Sequence, residues 1–196
     1  MPLSAPAARR LVHQRRIALD GFAREDGLID VEAEIVDTKT RPFANEDRGT
    51  IEPGEPLHRM RMRMTVDHNL VIRDCEAVTE YAPFHVCPGG AAGFARLAGL
   101  RIGRGFLKAA NERVGGVAGC THLRELIQQM ATVAFQTLYS VRKDIGDRAP
   151  PEPLDSGRVG SPASMIGSCY AFAPDGPVVR RRWPALATSA AAATEE

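Results

Sequence analysis

Neither sign of charge dominates this chain of 196 residues: 25 Lys and Arg stand against 24 Asp and Glu, a net charge of +1. That balance provides no field to draw in nucleic acid or an anionic membrane surface. Aromatic residues make up only 6% of the sequence, with one Trp. The basic run Arg180-Arg181-Arg182 has no stacking pattern around it, and beside Trp183-Pro184 it reads as a terminal anchor rather than a nucleic-acid contact. No stretch approaches the roughly 20 apolar residues that cross a bilayer. The amino terminus carries Arg9, Arg10, Arg15 and Arg16 without an apolar segment and small-residue cleavage site, so no secretory signal is expected and the expected location is the cytoplasm. Four cysteines (Cys75, Cys87, Cys120 and Cys169) lack CxxC spacing, and no disulfide is expected. Nucleotide loops of the GxxxxGK(S/T) and GxGxxG types are missing as well.

What is present suits an ordinary folded domain, with 44% hydrophobic and 25% charged residues. One α+β domain over 9–184 is expected, with flexible tails at 1–8 and 185–196 that carry no periodicity. Runs at 15–22 and 28–37 flank Arg24-Glu25-Asp26-Gly27, a hairpin signal centred on Asp-Gly. In the second run Val31, Ala33 and Ile35 alternate with Asp30, Glu32 and Glu34, so one face is buried. Asp37 continues the apolar face, a carboxylate where a hydrophobe is due, unless the strand has ended and Asp37 caps a turn with Thr38.

After a Pro/Asn/Asp/Gly-rich loop over 41–56, Met60, Met62, Met64 and Val66 alternate with Arg59, Arg61 and Arg63, and His58 shares the parity of the methionines. The turn Asp67-His68-Asn69 and a return strand to about Val78 complete a second hairpin. The period then changes. Short helices are expected over 91–100 and 105–114, and a long one from Thr121 to about Ile145 carries an apolar stripe from Leu123 through Leu126, Ile127, Met130, Ala134 and Leu138. Arg142 and Lys143 suit its last turn, and Gly146 is a plausible stop. A linker over 149–162 and an extended segment over 169–183 with an Asp175-Gly176-Pro177 turn are expected to follow. The resulting class is an antiparallel sheet of two β-hairpins packed on a long helix, with two shorter helices.

The stretch Gly115-Gly116-Val117-Ala118-Gly119-Cys120-Thr121-His122-Leu123, followed by Glu125-Leu126, resembles a bacterial family catalogued as domain of unknown function 2889. Asp26-Gly27-Leu28, Asp37-Thr38-Lys39, Gly54-Glu55-Pro56-Leu57-His58, Thr65-Val66-Asp67 and Ile72-Arg73-Asp74-Cys75-Glu76-Ala77 are similar to its amino-terminal signatures. Asp175-Gly176-Pro177-Val178-Val179-Arg180 with Trp183-Pro184 is similar to its ending. Some relatives look like cofactor-independent lyases of lignin-derived aromatics, which release formaldehyde from a phenolic dimer such as a phenylcoumaran and leave a stilbene. The resemblance therefore implies that activity, with no metal and no cofactor. Arg61 departs from the family pattern, in which an aromatic residue often stands at that position.

Such a reaction needs proton carriers and an apolar pocket. His58, Asp37 or Glu76 are candidate bases, Lys39 or Arg73 candidate stabilisers of a developing oxyanion, and Tyr81 a candidate proton donor. Met60, Arg61, Met62, Met64, Cys120 and His122 are candidate substrate contacts. Each has a plainer reading: His58 as a core histidine bonded to backbone, and Arg73, Asp74 and Glu76 as a charged strand edge. Cys120 and His122 at a helix start can instead form a reactive thiol, or a zinc site with Cys87 or Cys169, or simply a buried thiol beside a Thr121 cap. A non-enzymatic module that binds an aromatic or acyl ligand between sheet and helix, lined by Phe84, Phe94, Phe106 and Phe135, is the remaining class. A homodimer is expected in any of these cases.

Overall fold

The computed structural model describes residues 3–144 and 161–187, which fall into two compact units, Met1–Leu138 and Tyr139–Glu196. In the first, strands β1 (His13–Ala23), β2 (Ile29–Lys39), β5 (Pro56–Val66) and β6 (Ile72–Tyr81) form one antiparallel sheet in the order β1-β2-β5-β6. The expected hairpins are both there and run longer than the alternation implied. Between β2 and β5 lies a small hairpin of β3 (Phe43–Asn45) and β4 (Gly49–Ile51), inside the stretch read as loop. Three-residue strands are too short for period-two alternation to declare itself.

The inner face of the sheet carries Ile29, Val31, Ala33 and Ile35 from β2, Met60, Met62, Met64 and Val66 from β5, and Ile72 and Cys75 from β6, all buried. Over this face lie Phe94 and Leu97 from a 3-10 segment (Ala92–Leu97), α1 (Phe106–Val114) and α2 (Thr121–Asp144). Leu123, Leu126, Ile127, Met130, Ala134 and Leu138 of α2 are at most 2% exposed, so the apolar stripe is the core's helical side. Each fully buried Leu, Ile or Met side chain of this stripe contributes about 1.5–3 kcal/mol. Helix and sheet approach closely at Gly21, where a side chain would collide with Thr137 and crowd Val133. A β-carbon at that point of β1 would push the strand off α2.

In the second unit, α3 (Pro162–Met165), a 3-10 turn (Tyr170–Phe172) and α4 (Pro177–Arg182) follow one another, with the Phe172 and Trp183 rings 6.0 Å apart. The segment expected to be extended over 169–183 is therefore helical. Pro177 at the first turn after Gly176 starts α4, and Arg180, Arg181 and Arg182 fill its last turn, where cations suit the helix dipole; the Val178-Val179 pair misled because tertiary context outweighs β-propensity. Residues 184–187 add one more turn, Leu186 and Ala187 donating to the Trp183 carbonyl. Gly146, the linker up to residue 160 and the tail from 188 lie outside the described residues.

Candidate functional site

Register alone assembles the centre of the site. Pairing of β1 with β2 sets Arg15 opposite Asp37, and pairing of β2 with β5 sets Asp37 opposite His58, so three polar residues form one row across the inner face of the sheet. Strand β2 does not end at Asp37, which is 1% exposed, so the turn-cap reading gives way to the buried one. Arg15 grips the carboxylate through one edge of its guanidinium, Nε to Oδ1 at 2.7 Å and Nη2 to Oδ2 at 2.8 Å. His58 Nδ1 lies 3.0 Å from Oδ2, and His13 Nε2 is 3.5 Å from Oδ1.

Helix α2 begins over this row. Its first turn brings the His122 ring to 3.9 Å from the His58 ring, centroid to centroid and tilted by 34°. Cys120 Sγ sits 4.0 Å from His122 Nδ1 and 3.8 Å from Met60 Sδ. Glu125, one turn on, pairs with the free arm of Arg15 and ties helix to strand. Cys120 rather than Thr121 occupies the capping position, since its carbonyl accepts the Arg124 N–H at 3.0 Å and Thr121 is already helical. The approach to that cap has no room for a side chain at Gly119, where a β-carbon would meet the Val114 carbonyl.

The electrostatics follow from burial and charge. Burial works to raise the pKa of Asp37, but Arg15, with smaller help from His58 and His13, holds this carboxyl below its usual range. Asp37 is thus an ionised acceptor, and the ring nitrogen facing it must be the one bearing hydrogen. Burial, reinforced by neighbouring His122, pushes His58 down to about 4 against the opposing pull of Asp37. At neutral pH His58 is therefore an uncharged imidazole with Nδ1–H given to Asp37 and the Nε2 lone pair available. Cys120 and His122, both half-buried, form the side of the cluster that reaches the surface.

Of the residues singled out from sequence, Asp37, His58, Met60, Cys120 and His122 meet here. The others do not join them. Lys39 stands at the end of β2 with Nζ 6.0 Å from the Phe43 ring. Arg73 is bound to Asp67 at 2.5 Å, and Glu76 to Arg63 at 2.7 Å. Tyr81 lies beneath the Arg48 guanidinium, 5.4 Å away. Arg61 is on the outer face of the sheet between Glu34 and Glu80, beside a shallow groove bordered by Asp20, Glu32, Arg63 and Val78. Met62 and Met64 are core. Cys75 is buried, and its thiol is pushed up to about 12, chiefly by that burial, which leaves it an inert neutral group.

Three members of the cluster were not legible as functional residues: Arg15, His13 and Glu125. Arg15 reads as one of several amino-terminal arginines until the Asp26-Gly27 turn is used to count the register back to Asp37. Glu125 stands in the family-like stretch that follows His122, with nothing in the sequence to tie it to Arg15. Among the described residues Asp37, His58 and His122 also form a group whose potential ligand atoms all lie within 4.8 Å of one another.

A family model described as "Protein of unknown function (DUF2889)" matches residues 13–136, a span that holds the whole cluster. No curated protein and no solved structure matches the chain.

Proposed function

The chain belongs to the DUF2889 family, and we propose that it is a cofactor-independent carbon–carbon lyase in which His58 is the base that releases formaldehyde from a hydroxymethyl-bearing phenolic dimer. The observation that carries this reading is the buried Asp37–His58 pair at 3.0 Å, which leaves a neutral imidazole with one oriented lone pair. A lignin-type phenylcoumaran suits that group. Its phenolate expels the benzylic aryl-ether oxygen to give a quinone methide. His58 Nε2 then takes the hydroxymethyl proton; the carbon–carbon bond breaks, formaldehyde departs, and the bonding pair forms the stilbene double bond as the ring regains aromaticity. The proton gained by His58 is the one needed by the expelled aryl oxygen, so the cycle closes without an oxidant. Asp37, fixed by Arg15, stabilises the imidazolium formed on the way.

In this reading the enzyme is a cytoplasmic homodimer. Among the described residues no helix is long and apolar enough to cross a membrane, and the outer edge of β1 has no strand partner, leaving an edge that a second copy can pair with or cover. Light scattering that returned a single 21.2 kDa chain would remove the dimer.

Base and binding module part company in one comparison. With chelator-treated protein and a phenylcoumaran, His58→Gln is expected to lose about 100–10,000-fold in kcat while its affinity for the substrate changes only a few-fold. Turnover at wild-type rate in His58→Gln, or tight binding by wild type with no product, would sink the assignment.

A further inference from the structure

His58, His122 and Cys120 converge from two elements, and the three groups are donors that soft divalent cations favour. We propose that they form a site for a divalent cation of the zinc class, ligated by the imidazoles of His58 and His122 and by Cys120 Sγ, whose occupancy silences the base. The second clause rests on the lyase reading above; the first does not.

The argument is geometric. Asp37, His58 and His122 each offer a ligand atom, and all lie within 4.8 Å of one another; Cys120 Sγ is 4.0 Å from His122 Nδ1. Donors at about 2.0–2.3 Å from one zinc ion lie roughly 3–4 Å apart, a spacing that Cys120 Sγ and His122 Nδ1 already have and that the histidine group comes near. Asp37 belongs outside it. Both its oxygens are taken by Arg15, and Oδ2 also accepts from His58 Nδ1. That is the position of the outer carboxylate that fixes a ligating histidine's tautomer and turns its other nitrogen toward the metal. His58 is 9% exposed, whereas Cys120 and His122 are half-buried, so the side from which an ion would approach is that of Cys120 and His122. The nitrogen and sulfur donors favour zinc, cobalt or copper over magnesium or calcium. On binding, the Cys120 thiol gives its proton to solvent and the thiolate bonds the ion. The His58 lone pair used for ligation is no longer available to a hydroxymethyl proton.

Cobalt(II) added to the full-length, chelator-treated chain is the direct probe. One equivalent is expected to give a near-ultraviolet thiolate-to-cobalt band with strong visible absorption, and zinc is expected to displace it. Cys169→Ser should keep both features, Cys120→Ser should lose the thiolate band but retain weaker binding, and His122→Ala should weaken binding at least tenfold. A folded wild-type chain without a cobalt spectrum, or a thiolate band that survives in Cys120→Ser, would overturn the site. Zinc should also stop formaldehyde release and EDTA restore it; zinc bound at one equivalent with release unaffected would overturn the inhibitory role. Absence of release from metal-free protein alongside a full cobalt spectrum would count against the lyase and in favour of the metal site, and the reverse pattern against the metal site alone.

Discussion

Asp37 has more partners than oxygen atoms. Arg15, His58 and His13 all address it at 3.5 Å or less, in a place that is 1% exposed. A buried carboxylate is tolerated only when paired and hydrogen-bonded in this way, and the arrangement leaves His58 no choice of tautomer. Nitrogen-15 NMR of the imidazoles at neutral pH reads this directly: His58 is expected to show a protonated Nδ1 and a bare Nε2. An imidazolium, or hydrogen on Nε2, would contradict it. Strand parity made Asp37 and His58 legible from sequence, because each interrupts an alternating apolar face with a polar group. Arg15 was not legible in the same way, since its meaning comes from a cross-strand partner rather than from its neighbours in the chain.

The turn between β5 and β6 is held by Asp67, which accepts the Asn69 N–H at 2.8 Å, the Val71 N–H at 2.9 Å and an Arg73 arm at 2.5 Å. It permits Leu70 its left-handed φ of 59° while that side chain stays buried. Burial alone would raise the carboxyl, but the two N–H donors and Arg73 outweigh it and hold Asp67 below its usual value. Its stabilisation is therefore complete above the unfolded value, near 4, and fades as pH falls through the depressed native one. Asp67→Asn is expected to cost about 1–3 kcal/mol at neutral pH, with the gap from wild type narrowing in urea melts taken in acid. An equal gap at both pH values would contradict the charge's part in it. At this scale sequence reading was strongest for long amphipathic elements, α2 above all. It failed where periodicity has no length to act on, at β3 and β4, and where Pro177 starts a helix among β-favouring valines.

Across the first unit, sheet and helix supply complementary halves of one cluster: the strands fix a carboxylate, its arginine and an imidazole, and the amino-terminal end of α2 adds a second imidazole and a thiol. The antiparallel sheet and the long helix were readable from composition and period. Their juxtaposition at His58 was not, because it depends on how α2 crosses the inner face, which Gly21 and the Arg15–Glu125 pair determine. Lys39, Arg73, Glu76, Tyr81 and Arg61 stand outside that cluster, each beside another partner. The most direct test of the lyase is to incubate chelator-treated wild-type protein with a phenylcoumaran and follow formaldehyde and stilbene together. The account predicts equal amounts of both with no added cofactor; no product, or stilbene without its equivalent of formaldehyde, would contradict it.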